Sequence, residues 1–331
     1  MSKNNELSLV DGNTIEIHYW FVDDTHSMDA LVQNKCEYEF LGILKEVAST
    51  FKVHITVETE PLAEGGLRRW FSIATKDENK KATITIAIIT ALTTGAIVTP
   101  ITTSIGKITE KLIENIFEDP EIKELEKEKL RLEIKKLRQE TGTNIHLVDS
   151  SNVVKRKKSN FYETLEKYPK VDRVSFLISD EDKNEILEEK TVYSKNFKDF
   201  VLTSDDLEPI EVDNAVIEII SPVLKKGNYK WMGIYNGEPV PFSMKSQEFK
   251  NLVQTGEVKF RNGTSINCFL TIKRKIDNEG KEKITGIEVN RVNHFFENEK
   301  PIETPEGKKH RQKKEEEKNQ LELFARKRNV E

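Results

Sequence analysis

Acid and imidazole side chains gather where the first strand-like stretch ends. His18, Asp23, Asp24 and His26, with Glu37 and Glu39 shortly after, are the residue types that hold a divalent ion or pass protons. Their spacing fits no named metal or catalytic motif. Asp24, Thr25 and Ser27 are accounted for equally well as helix-capping groups. Cys36 falls on the apolar stripe of the next helix, where a free thiol is ordinarily a small core residue, and no base is spaced to activate it. No Gly-rich phosphate loop, zinc spacing or nucleophile elbow occurs, and Gly65-Gly66 reads as an isolated turn. No catalytic residue, metal or cofactor is assigned, and the chain reads as a non-enzyme.

A second set of residues points to binding. Between Ala215 and Phe295, Lys and Arg outnumber Asp and Glu, although the whole chain has a net charge of −5. Lys225, Lys226, Tyr229, Lys230 and Trp231 cluster at one turn, Arg261 sits beside another, and Lys273 and Arg274 lie on a later strand. Cations interleaved with rings bind single strands or nucleotides through phosphate contact and stacking. The competing account places Trp231 in the core and the lysines at a solvated strand edge.

The last candidate is the pentapeptide QLELF near the C-terminus. Gln320, Leu321, Leu323 and Phe324 resemble the bacterial sliding-clamp-binding motif, a Gln, a Leu, a variable residue, then Leu-Phe. The resemblance covers five residues. It implies that Leu323 and Phe324 fill an apolar pocket while Gln320 bonds at its rim, at the end of a flexible tether.

The elements that must position these groups read as an α+β chain. A strand over residues 14–22, a helix from about 28 to 50 and a strand over 52–59 make a small N-terminal β-α-β unit within 1–75. Apolar positions every three to four residues mark the helix. Such a unit is marginal alone, so partners or copies are expected to complete it. Residues 82–106 are uncharged in a chain that is 33% charged. As a helix they would reach about 36 Å, enough for a hydrocarbon core of about 30 Å, so a membrane segment is expected, with burial in protein as the alternative. A charged helix follows over 107–141. Residues 144–296 form a β-rich domain whose strand order resembles an OB-type or small barrel. Asn236-Gly237 marks a hairpin there. Residues 297–331 read as a disordered charged tail.

Two cysteines far apart suggest no disulfide framework. The polar N-terminus lacks the apolar stretch of a signal peptide. Heavy use of Lys, Asn, Ile and Glu points to a bacterium. The leading expectation is a membrane-associated, oligomeric effector or sensor at the inner membrane, in the manner of anti-phage defence proteins, with a nucleic-acid- or nucleotide-binding C-terminal domain. The alternative is a cytoplasmic, clamp-binding accessory protein of DNA replication or repair.

Overall fold

The computed structural model describes residues 14–23, 27–59, 67–74, 97, 147–148, 150–179, 185–225, 227, 229–297 and 300–328. They form two compact units: residues 1–204 with 277–281, and residues 205–276 with 282–331.

The first unit runs β1 (Thr14–Phe21), α1 (Ala30–Thr50), β2 (Thr56–Thr59), β3 (Leu67–Ala74), α2 (Asn152–Glu166), β4 (Val171–Ser179) and β5 (Glu185–Tyr193), with a 3-10 helix over Ser194–Phe200. The sheet order is β2-β3-β1-β4-β5, antiparallel throughout. This is a split β-α-β arrangement with one added edge strand. Ile15, Ile17 and Tyr19 alternate along β1 and face the helices, packing with Phe40, Phe71, Phe161 and Phe176. Asp29 caps α1 through the amides of Leu31 and Val32, and Ser151 caps α2.

Gly42 sits where α1 meets Lys157 of α2. A Cβ there would fall 2.4 Å from the lysine Cδ. The buried ammonium reaches Glu279 at 2.9 Å and Glu39 at 3.5 Å. Burial pushes the Glu39 carboxyl up, against the pull of Lys157.

The small N-terminal unit is therefore not a module of its own. Its sheet is finished by β4 and β5, which the sequence reading had placed in the β-rich domain.

The hydrophobic run 82–106 lies outside the described residues except for Ile97. That residue is 1% exposed and belongs to the first unit's core. Its carbonyl accepts a 2.7 Å hydrogen bond from the Tyr162 hydroxyl. Among the described residues no helix is long and apolar enough to cross a membrane. The expected transmembrane helix is corrected accordingly: at its one described position the run has protein, not lipid, as its surroundings. The charged helix 107–141 lies wholly outside the described residues.

The second unit runs β6 (Asp206–Ser221), β7 (Trp231–Tyr235), β8 (Glu238–Met244), α3 (Gln247–Gln254), β9 (Ser265–Ile276), β10 (Glu282–Glu297), β11 (Lys300–Glu303) and α4 (Pro305–Arg328). Strands β6-β7-β8-β10-β9 close into a five-stranded barrel, because β9 pairs both β10 and β6. The β8–β10 contact is parallel and short, joining Ser243 and Met244 to Glu288 and Val289. Pro239 and Pro241 occupy β8 where it has only β7 as a partner, as prolines do on an edge. The expected hairpin turn is present: Asn236 and Gly237 both have positive φ, 52° and 82°. Gly233 lets β6 and β7 close up, since a Cβ there would meet Ile217 at 2.5 Å. Trp231 fills the interior with Phe242, Phe249 and Phe260. Residues 257–261 lead from α3 to β9 without forming a strand.

The tail is ordered where disorder was expected. Thr304 takes the Gly307 amide at 3.0 Å, and its hydroxyl bonds the Val292 carbonyl. Glu306 accepts from the Val292 amide at 2.8 Å and from Ser246. These bonds fix the first turn of α4 on β10. Beyond it, Arg311–Glu315 and Lys313–Glu317 pairs run along the helix, supporting a polar sequence that composition alone reads as unfolded.

Gly307 is the tightest point of this junction. A Cβ would lie 2.2 Å from the Asn293 carbonyl oxygen. Gly307→Ala is expected to cost about 1–3 kcal/mol by overpacking, read as a lower thermal midpoint. Gly286→Ala, whose Cβ meets nothing within 4 Å, is the control.

Candidate nucleic-acid interface

The connection from β6 to β7 spans Pro222 to Lys230. Lys225 and Lys230 are exposed on it, with Tyr229 61% and Leu224 65% exposed. Gly227, at φ +146°, lets the tyrosine fold back, since a Cβ would lie 2.7 Å from its ring. Lys226 lies outside the described residues. Two cations and a ring thus share one short loop with no carboxylate of its own.

The remaining sequence candidates do different work. Trp231 starts β7 and points into the barrel, 1% exposed, so it offers no surface for stacking. Arg261 is exposed on the turn before β9, its amide bonded to Thr264 Oγ1 at 2.8 Å. Lys273 pairs with Glu288 at 2.9 Å. Arg274 pairs with Glu282 at 2.7 Å and bonds the Glu208 carbonyl at 2.9 Å. The β9 cations therefore bind the barrel's own strands together. The register that brings their partners alongside is interrupted by bulges between Ile284 and Gly286 and between Val289 and Arg291, which a strand pattern does not reveal.

In the tail, Gln320 is exposed at the end of a stretch, residues 311–320, in which every side chain is exposed. The backbone of 320–324 is helical. The side chains of Leu321, Leu323 and Phe324 lie outside what the structure describes.

The acid and imidazole cluster is dispersed. His18 is on the sheet face away from the helices, stacked on Trp20 at 3.9 Å. Glu37 pairs with Arg69 at 2.7 Å, Glu39 with Lys157, and Asp23 with Lys170 at 3.8 Å. Asp24 and His26 lie outside the described residues. Among the described residues no three His, Cys, Asp or Glu side chains are placed to hold a metal. Burial pushes the thiols of Cys36 and Cys268 up to about 12, so neither supplies a thiolate at neutral pH.

One constellation escaped the sequence reading. Trp20, Arg173 and Tyr193 lie directly opposite one another across β1, β4 and β5. Beside them, Arg68, His18 and Ser175 form a second row across β3, β1 and β4. Alternation along β1 was the available signal, since Glu16, His18 and Trp20 take the positions between the core residues.

No protein-family profile, curated protein or solved structure matches this chain.

The hydrogen bond from Lys273, reinforced by the charges of Lys273 and Lys245, holds the Glu288 carboxyl below its usual 4.5. A depressed folded-state pKa stabilises the fold above the unfolded value, and that contribution disappears as pH falls through the folded one. Glu288→Gln is therefore expected to lower stability at neutral pH by no more than about 1 kcal/mol. In acid the two proteins should converge in urea denaturation.

Proposed function

We propose that this chain is a non-enzymatic binding protein whose barrel holds single-stranded nucleic acid at the β6–β7 loop. Strand order supports the reading. The first strand pairs the second and the fourth, the third meets the fifth in parallel, and a helix separates third from fourth. That is the plan of OB-type barrels, which bind oligonucleotides and oligosaccharides on the second and third strands and the loop between the first two. The carrying observation is that this loop is the one bearing Lys225, Tyr229 and Lys230. The lysines meet phosphate and the exposed ring takes a base. The outward residues of the second and third strands, Met232, Ile234, Pro239 and Pro241, present apolar surface for bases rather than charge for phosphate.

A fluorescent single-stranded 12-mer titrated at low salt tests this. Lys225→Glu with Lys230→Glu should weaken binding by an order of magnitude or more and flatten the salt dependence by about two units. Tyr229→Ala should cost about 1–3 kcal/mol. Wild-type affinity in both variants would reject the barrel loop as the site.

The tail completes the proposal as an accessory protein of replication or repair. Helix α4 carries the clamp-like pentapeptide on a rod of 24 residues, about 36 Å long. A peptide covering 305–331, titrated against a bacterial sliding clamp, should bind. The doubly substituted Leu323→Ala, Phe324→Ala peptide should not. Equal behaviour of the two peptides removes the clamp from the proposal.

A further inference from the structure

We infer that the outer face of β6, β7 and β8 selects guanine within a bound single strand and that Glu218 is the residue that reads it, a step that rests on the barrel being the nucleic-acid site.

Three observations carry it. The first is the floor on which Glu218 stands. Along the end of β6 the inward residues Ala215, Ile217 and Ile219 are buried, and the outward ones alternate with them. Val216 and Ile220 are each 53% exposed, and Glu218 is exposed between them. The register sets Ile234 of β7 beside Glu218 and Pro239 of β8 beside Ile234. Met232 and Pro241 make the next row toward the β6–β7 loop. A bulge leaves Ile220 without a register partner on β7. One carboxylate therefore rises from an apolar surface that spans three strands.

The second is the state of that carboxylate. Glu288, Glu282, Asp206 and Asp213 of the same barrel each meet a lysine or arginine. Glu218 has Ser265 and Ile234 as its cross-strand neighbours instead, and among the described residues no cation pairs with it. Both of its oxygens remain open as acceptors.

The third is the order of charge along the face. Lys225 and Lys230 lie on the loop that joins β6 to β7. Ile220 and Met232 come next, and Glu218 lies one step beyond them, where two residues of strand advance about 7 Å. A nucleotide carries the complementary order: anionic phosphate, flat base, polar base edge. The lysines draw the phosphates toward the loop and Glu218 repels them, so the base edges are turned toward the carboxylate.

The base that fits is set by donor count. Guanine presents two adjacent N–H donors on its Watson–Crick edge, the ring N1–H and the exocyclic amino group. A carboxylate accepts both at once in a charge-assisted, bidentate pair. Cytosine and adenine each offer one amino group beside a bare ring nitrogen, and thymine offers one N–H between two carbonyls. Each of these sets a lone pair against the carboxylate. The aliphatic side chains around Glu218 keep water from the flanks of the pair, which strengthens it.

The experiment uses the full chain and fluorescent thymidylate 12-mers at low salt. One strand is all thymine, and the others carry a single central guanine, adenine, cytosine or hypoxanthine, the last being guanine without its amino group. The guanine strand is expected to bind about ten-fold more tightly than the all-thymine strand, and the other three to stay within about three-fold of it. In Glu218→Gln, which loses one acceptor oxygen, the ratio of guanine to all-thymine affinity should fall below about two. The guanine site is overturned if adenine or hypoxanthine binds as tightly as guanine, or if Glu218→Gln keeps the guanine preference. Equal binding of all five strands overturns it while leaving the barrel as a single-strand binder. Failure of every 12-mer to bind overturns both.

Discussion

The ladder between β1 and β4 is the interaction on which the first unit depends. Thr14 to Phe21 pairs with Val171 to Ser179, partners 150 to 165 residues apart in the chain. Among the described strands, β3 is then the one neighbour of β1. Among the described helices, α2 is the one that completes the apolar cover of α1. Long-range pairing of this kind pays loop-closure entropy before any contact rewards it. The compensation is the layer of aromatic and aliphatic side chains that α1 and α2 bury together, with Tyr162 tying Ile97 into the same layer. The outward rows of Trp20, Arg173 and Tyr193 exist as rows only because the ladder sets their register.

In the barrel, availability of charge matters more than its amount. The segment is rich in lysine and arginine, but most of the cations on β9 face acidic partners on neighbouring strands: Lys273 with Glu288, Arg274 with Glu282, Lys275 with Asp206. A cation matched in this way contributes little net field. The β6–β7 loop differs because Lys225 and Lys230 extend from a connection rather than a strand, and among the described residues no carboxylate pairs with either. Local geometry therefore selects a few of many basic residues as candidates for phosphate.

The sequence was legible where the signal was local. Asn236-Gly237 announced its turn, the three-to-four spacing of Cys36, Phe40, Leu44 and Val47 announced α1, and the order of barrel elements was readable from 216 to 292. It was not legible where the decision was made at a distance. Nothing near Val171 or Val192 says that these strands join β1 rather than the barrel. Trp231 looked like part of a basic cluster because its neighbours are lysines. The alternation of Trp231, Gly233 and Tyr235 puts it inside, and that inward set is recognisable only once the barrel is closed. The uncharged run at 82–106 has the composition of a membrane helix, yet Ile97, its one described residue, is buried in the first unit's core. The tail misled in the opposite sense: a charged composition signals disorder, but anchoring at Thr304 and Glu306 removes the nucleation cost that otherwise prevents such a helix.

Pro239 and Pro241 have a consequence for the solution behaviour of the whole chain. Strand β8 meets β10 over only two residues, so much of its length presents a rim that another polypeptide could extend by hydrogen bonding. Each proline withdraws one amide from that rim, and its ring obstructs an incoming backbone. The neighbouring apolar side chains can then remain uncovered without seeding fibrous growth. Evolution has left this seam of the cylinder incomplete but chemically mute.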